Sequence, residues 1–240
     1  MTDTRAGVKL DVRVYPLDDP KGNTKAFANV AINDMVAIRN IRVVEDSKGL
    51  FVTMPQSYDK KTEEFHDIAF PLKSDLRREI NRAVLGEHDR VSNLAPGERG
   101  YEKPEPNAEK IDAEGIKLDI RVYPLENPQG STMAFASVSV DDLVAIRGLR
   151  VVEGGEEGIF VAMPQSQDKY MNYHDVAFPL TKELRDEISK GVIDKFINPE
   201  KSVDRKQSLG DKLAAGNEKA AGHVAPERQA AAKSHAGALE

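Results

Sequence analysis

The sequence predicts an α+β fold built from two tandem copies of one small domain, each an antiparallel sheet of about five strands followed by a helix. The first observation is an internal repeat: "KLDVRVYPLDDPKG" at Lys9 returns as "KLDIRVYPLENPQG" at Lys117, and "VAIRNIRVVE" at Val36 returns as "VAIRGLRVVE" at Val144. The second is that alternation of apolar and polar residues gives way, late in each copy, to a helical period. The third is that short turns join the strands, which favours antiparallel pairing with the helix on one face.

The strands of the first copy are predicted in order from its apolar patterns. "LDVRVY" alternates strictly, and "AFANVAIND" follows as a second strand after a turn. "MVAIRNIRVVED" is the third strand, but its apolar positions change parity between Ile38 and Ile41. A bulge near Arg39–Asn40 would bring both onto one face. "GLFVTMP" and "EFHDIAFP" are predicted as the fourth and fifth strands.

A helix is predicted to close each copy. In "KSDLRREINRAVL" the apolar residues change to a spacing of four. The apolar stripe consists of Leu76, Ile80 and Val84. Lys73 or Ser74 is expected near the N-cap of this helix, and Thr181 near that of the second copy.

The repeat boundaries follow from where the similarity stops. We predict copy one at residues 9–90 and copy two at 117–198. Between them, 91–116 has the Pro-, Gly- and Glu-rich composition of a linker. The segment 199–240 is Ala-rich with few large apolar residues, so we expect a disordered tail that contributes no core.

Composition excludes several classes of protein. The absence of Cys rules out disulfides, thiol nucleophiles and thiolate zinc sites, and suits a cytoplasmic protein. No secretory signal or apolar run of ~20 residues is present, so no membrane span is expected. The net charge of −6 excludes a uniformly basic coat but allows a local basic patch.

Adjacent His and Asp residues, His66–Asp67 and His174–Asp175, raise the possibility of catalysis. Neighbouring side chains in a strand point to opposite faces, so the two members of each pair are not expected to form a dyad. No nucleophile motif, metal-ligand spacing or Gly-rich phosphate loop accompanies them. We therefore expect no enzyme, no cofactor and no metal, with a hydrolase using either His as a remote alternative.

Charge is distributed unequally between the copies. Copy one carries 14 Lys and Arg against 14 Asp and Glu, whereas copy two carries 9 against 13. The helix of copy one gathers basic residues away from its apolar stripe, and two lysines precede it in a loop. These candidates are Lys60, Lys61, Arg77, Arg78, Arg82 and Arg90. In copy two Asp186 stands where Arg78 is, so we expect copy one to hold phosphate more strongly. By charge alone, however, a solvated helix face with i, i+4 pairs is the favoured explanation.

Three motifs together identify a family. "IRNIRVVEDSKGLFVTMPQS", "EFHDIAFPL" and a helix carrying "EINRAVLGEHDR" resemble the stage V sporulation protein G (SpoVG, septation regulator) family of bacteria, and copy two carries "LRVV", "GIFVAMP" and "HDVAFPL" in the same order. The resemblance implies a small antiparallel sheet with a C-terminal helix, dimerisation through strands, DNA and in some members RNA binding, and a regulatory role. Arg77, Arg90 and Arg185 match basic helix positions of the family. Its loop Lys-Arg pair is replaced by the displaced Lys60–Lys61, and in copy two by Lys169 alone.

Because the family works as a dimer, a tandem copy would supply both halves of a twofold assembly in one chain. We therefore expect an intramolecular pseudo-dimer, with a swapped homodimer as a second possibility. Its predicted partner is DNA or RNA. The alternative is a protein-interaction module whose second copy has lost nucleic-acid binding, and salt-dependent binding of nucleic acid separates the two.

Overall fold

The computed structural model describes residues 8–20, 22–59, 62–94, 98–99, 115–128, 130–154, 158–167 and 171–199. The first repeat contains β1 (Leu10–Pro16), β2 (Thr24–Ile32), β3 (Val36–Asp46), β4 (Gly49–Thr53), β5 (Gln56–Asp59), β6 (Glu64–Asp67), β7 (Ala69–Pro71) and α1 (Ser74–Ser92). The second contains β8 (Leu118–Pro124), β9 (Thr132–Val140), β10 (Val144–Glu153), β11 (Ile159–Ala162), β12 (Gln165–Gln167), β13 (Tyr173–Asp175), β14 (Ala177–Pro179) and α2 (Lys182–Ile197). The predicted tail falls outside the described residues.

Each main sheet contains a strand from the other repeat. The first has the order β1-β2-β3-β14, with β4 also beside β3, and the second has the order β8-β9-β10-β7, with β11 also beside β10. All of these strand pairs are antiparallel. Two small hairpin sheets, β5-β6 and β12-β13, complete the arrangement. The predicted α+β fold of two tandem copies is thereby confirmed, and the two repeats exchange strands within the chain. That this pairing is intramolecular, rather than between two swapped chains, stays a prediction.

The exchange of β7 and β14 is reciprocal and extends beyond the strand pairing itself. Leu72 donates its backbone N–H to the Leu143 carbonyl at 2.8 Å, and Arg147 donates to Ile68 at 2.7 Å. The same two bonds recur on the other side of the molecule, from Leu180 to Met35 and from Arg39 to Val176. We call the junction of β3 with β14 seam one and that of β10 with β7 seam two.

The described part of each repeat has seven strands where five were predicted. The predicted fifth strand divides at Ile68, whose N–H bonds to the Pro55 carbonyl at 2.8 Å. Before that residue, β6 pairs with β5, a short strand for which the sequence analysis predicted a loop. After it, β7 leaves for the other repeat, which a pattern within one repeat cannot reveal.

The predicted bulge in the third strand is confirmed. Between Ala28 and Val30 the register of β2 against β3 skips an extra residue on β3, and Asn40 takes the left-handed conformation with φ 60°. Its counterpart in β10 is Gly148 with φ 76°. The bulge keeps Ile41 fully buried despite its change of parity.

The helices pack their apolar stripes mainly on the first strand of their own repeat, α1 on β1 and α2 on β8. Both stripes lie in one hydrophobic cluster with the inner faces of the two sheets. The buried stripe residues are Leu76, Ile80, Val84 and Val91 in α1 and Leu184, Ile188 and Val192 in α2. Each helix therefore covers one face of a sheet and leaves the other face uncovered by its own repeat.

Helix capping differs between the repeats and gives a first prediction. Thr181 is the N-cap of α2, and its Oγ1 accepts the Leu184 N–H at 3.2 Å, whereas the N-cap Lys73 of α1 makes no side-chain cap bond. Thr181→Ala is expected to lower the free energy of unfolding by about 0.5–2 kcal/mol, because a helical N–H loses its acceptor. Urea denaturation measures this, with Lys73→Ala as the matched control expected to change little. An equal loss from both variants would contradict the capping argument.

Candidate nucleic-acid interface

The predicted arginines at the start of the two helices are engaged by the hairpin sheets. Arg77 contacts the Asp67 carboxylate at 3.3 Å, and the equivalent Arg185 contacts Asp175 at 3.5 Å. Both arginines remain about 40% exposed in their side chains. Each thus ties its helix to the hairpin sheet of its own repeat, and the carboxylate reduces the positive charge available to a ligand.

Two of the predicted basic residues of α1, Arg78 and Arg82, differ in whether a carboxylate pairs with them. Arg78 forms an ion pair with Asp75 one turn earlier. Arg82 is exposed and pairs with no carboxylate of the described residues. Over its whole length α1 balances four arginines with two aspartates and two glutamates, so its face is mixed in charge.

The end of α1 holds an ion pair between Arg90 and Glu87. Arg90 contacts Glu87 at 2.6 Å, and this hydrogen bond lowers the pKa of the Glu87 carboxyl and raises the pKa of Arg90. Partial burial lowers the pKa of His88, which favours its neutral form. The guanidinium of Arg90 is therefore already paired with the Glu87 carboxylate.

The loop candidates Lys60, Lys61 and Lys169 lie outside the described residues, so their part in binding stays a prediction. The adjacent His and Asp of β6 point apart, as expected. Asp67 accepts a hydrogen bond from Gln56 at 2.9 Å in addition to its contact with Arg77. His66 lies instead near the Thr62 hydroxyl, at 3.4 Å.

The outer face of the first sheet carries a line of side chains that the sequence analysis missed. Tyr15 on β1 lies opposite Phe27 on β2, which lies opposite Arg42 on β3. Cross-strand partners stand side by side on one face of a sheet. Phe27 is 39% exposed, which is unusual for a phenylalanine in a central strand. We call these three residues the first Tyr–Phe–Arg row.

Repeat two carries the same row. Tyr123 lies opposite Phe135, and Phe135 opposite Arg150. The two aromatic rings are 54% and 43% exposed. The neighbouring strands β4 and β11 add another exposed phenylalanine in each repeat: Phe51 opposite Val44 and Phe160 opposite Val152, each diagonal to the row arginine. Each outer face therefore presents several aromatic rings beside an arginine.

Two further arginines flank the rows at the seams. The guanidinium of Arg39 lies over the ring of Phe178 at 4.6 Å, and that of Arg147 lies over Phe70 at 4.7 Å. Each contact joins a long strand of one repeat to the exchanged strand of the other. A cation–π contact orients the guanidinium without cancelling its charge. No carboxylate of the described residues forms an ion pair with either arginine, or with the row arginines Arg42 and Arg150.

The signal for the rows was present in the sequence as "RVY", "AFA" and "IRVV", in which aromatic or basic residues alternate with apolar ones. Alternation alone does not say which face the helix covers, and so it could not tell an exposed Phe27 from a buried one. Among the residues described, no helix is long and apolar enough to cross a membrane, and no group of His, Cys, Asp or Glu has a metal-binding arrangement.

Comparison with known proteins matches each repeat separately. The SpoVG family profile matches residues 8–90 and again 116–198. A protein of Anaeromyxobacter sp. (strain K), named septation protein SpoVG, is 38% identical over 80 residues, 33% of this chain and 76% of its own length. Proteins of the same name from Staphylococcus aureus (strain MRSA252) and Clostridium perfringens (strain ATCC 13124) are 38% identical over 88 residues and 36% over 86. These cover 36% and 35% of this chain, and 84% and 91% of the relatives.

Proposed function

Because this chain belongs to the SpoVG family, we propose that it is a non-catalytic regulator of septation that acts in the cytoplasm by binding nucleic acid. The name of its relatives supports the septation role. The observation that carries the nucleic-acid role is the exposed Tyr–Phe–Arg row, present on the outer face of both sheets.

Such a row has the chemistry that single-stranded DNA or RNA requires. Unpaired bases stack on exposed aromatic rings, and arginines neutralise the phosphates between them. The row arginines Arg42 and Arg150 are not held by carboxylates of the described residues, so their charge is available. In contrast, Arg77, Arg78, Arg90 and Arg185 would have to leave an existing ion pair to bind phosphate. This argues for the sheet faces as the principal surface, with the helices at its border.

The net charge of −6 requires that binding be local. A ligand is attracted by the arginines of the sheets only at distances within the Debye length, about 8 Å at physiological salt. Stacking does not depend on net charge. A combination of few phosphate contacts and several stacked bases therefore suits an acidic protein better than duplex binding, which relies on many phosphate contacts.

Fluorescence anisotropy on the intact chain tests the proposal. A labelled single strand of about 16 nucleotides is titrated alongside its duplex, at about 50 and 200 mM salt. We expect tighter binding of the single strand and a shallow salt dependence, corresponding to a few neutralised phosphates. Absence of binding at low salt would favour the alternative, a protein-interaction module. Preference for the duplex with a steep salt dependence would instead favour the helix and loop cations.

A further inference from the structure

The two seams are built alike but differ at the bulge residue. In seam one the Asn40 side chain donates an Nδ2–H bond across the repeats to the Ser166 hydroxyl at 2.6 Å. In seam two the bulge residue is Gly148, which has no side chain, and the serine equivalent to Ser166 is Ser57. The Asn40 side chain thus bridges the two repeats at seam one, whereas no side chain does so from Gly148 at seam two.

Seam two contains a cleft of about 350 Å³ at this position. That volume lies at the lower end of the range for small-molecule sites. It is large enough for one nucleotide. The polar and aromatic side chains at its wall come from both repeats: Ser57, His66, Arg147, Arg150, Gln165 and Tyr173. Gly148 itself lies in the wall, so the backbone is open to a ligand there.

The charges around the cleft favour an anion. Arg147 and Arg150 pair with no carboxylate of the described residues, and Phe70 fixes the guanidinium of Arg147 from one side. Asp67 also lines the cleft, but its carboxylate already accepts from Gln56 and Arg77. The two arginines therefore face the cleft with a net positive charge, and a planar guanidinium suits phosphate in two-point contact.

The aromatic wall supplies the second half of a nucleotide site. Tyr173 is 66% exposed, so its ring has a face available for stacking. Arg150 also belongs to the second Tyr–Phe–Arg row. A single strand of nucleic acid bound across that row would therefore extend directly into the cleft.

We infer that seam two is a nucleotide-binding subsite, in which Arg147 and Arg150 hold one phosphate and Tyr173 stacks against the attached base. This inference rests on the proposed nucleic-acid function and names the part of the surface that recognises an individual nucleotide. Of the two seams in the described part of the chain, only seam two has such a subsite, since Asn40 occupies the equivalent place in seam one. The two halves of the pseudo-dimer are thus unequal in recognition.

The variant Gly148→Asn tests the subsite by copying seam one onto seam two. A Cβ at Gly148 would meet only the Cβ of Pro164, at 3.8 Å, which is an ordinary contact. Asparagine also tolerates the left-handed conformation, as Asn40 does with φ 60°. The matched control is Asn40→Gly, which removes the side chain from seam one and leaves seam two unchanged.

Calorimetric titration of the full chain with adenosine 5′-monophosphate, adenosine and inorganic phosphate measures the subsite directly. We expect the monophosphate to bind the unaltered chain, and adenosine and phosphate alone to bind it more weakly. Gly148→Asn should lose tenfold or more in affinity for the monophosphate. Asn40→Gly should retain the site in seam two. Tyr173→Ala, at an exposed position, should also weaken the monophosphate. Unchanged binding by Gly148→Asn, or loss of the site in Asn40→Gly, would overturn the inference.

A second readout separates failure of the subsite from failure of the proposed function. A labelled single strand is titrated with the same variants, and the rows untouched by Gly148→Asn should keep it bound with a modest loss. If the strand binds but the monophosphate does not, the subsite is overturned and the proposed function stands. If neither binds, both are overturned.

Discussion

Replacing Ile146 by Ala is expected to lower the free energy of unfolding by about 2–5 kcal/mol, because it leaves a cavity in a core that has little freedom to collapse. Ile146 is fully buried in β10, between Val138 of β9 and Ala69 of the exchanged β7. The cavity therefore lies at seam two, and the loss should be shared by both repeats. Urea unfolding should remain a single transition with a lower midpoint.

Hydrogen exchange read by mass spectrometry distinguishes a loss of stability shared by both repeats from one confined to repeat two. In Ile146→Ala the amides of Leu72 and Arg147, which bond across seam two, should lose protection together. The control Ile197→Ala changes a residue that is 61% exposed and should alter stability by less than about 0.5 kcal/mol. Retained protection at Leu72 would show that β7 does not depend on the other repeat.

The double variant Phe27→Ala with Phe135→Ala is expected to weaken single-strand binding by about 1–3 kcal/mol for each base that loses its stacking partner. Both rings lie at the centre of a Tyr–Phe–Arg row and are partly exposed. Their removal should therefore weaken binding more than it destabilises the folded protein. Fluorescence anisotropy with the labelled strand measures the loss. The salt dependence should stay nearly unchanged, since every arginine that neutralises a phosphate remains in place.

Two further double variants test whether the single strand binds to the sheet faces or to α1. Arg42→Ala with Arg150→Ala should weaken binding and also flatten the salt dependence, by roughly 0.7 for each phosphate of the single strand that is no longer neutralised. Arg78→Ala with Arg82→Ala on α1 should have a smaller effect, because Arg78 is already paired with Asp75. A larger loss from the helix pair than from the aromatic pair would place the principal interface on α1, as the charge distribution of the sequence suggested.

The two repeats have diverged in ways that fit a shared assembly. A single short strand from each completes the sheet of the other, and neither main sheet is assembled from one repeat alone. The relatives align over 88 and 86 residues, the length of one repeat, whereas this chain carries two. Joining both halves in one chain allows them to differ, and the pair Asn40 and Gly148 is such a difference.

The sequence by itself determined the repeat, the long strands, the bulge and the helices. The repeat is recognised by comparing distant segments of the chain, whereas the other features depend on local patterns: alternation in β1 to β4, the parity change before Ile41, and the four-residue spacing of the helix stripe. It also predicted the cap of α2 at Thr181, because a hydroxyl before a helical run satisfies a free N–H. Such signals need only neighbouring residues, and for that reason they could be recognised without a structure.

Only the tertiary structure decided which repeat completes which sheet, and which side chains remain exposed. Strand exchange pairs residues more than 70 positions apart, such as Ala69 with Ile146, and no local pattern encodes that choice. Likewise, Phe27 and Ile41 are both apolar strand residues, and one is exposed while the other is buried because the helix covers a single face of the sheet. The candidate binding surface was hidden for the same reason: charge can be counted along a chain, but its pairing with carboxylates, as at Arg77 and Arg78, depends on what folding brings within reach.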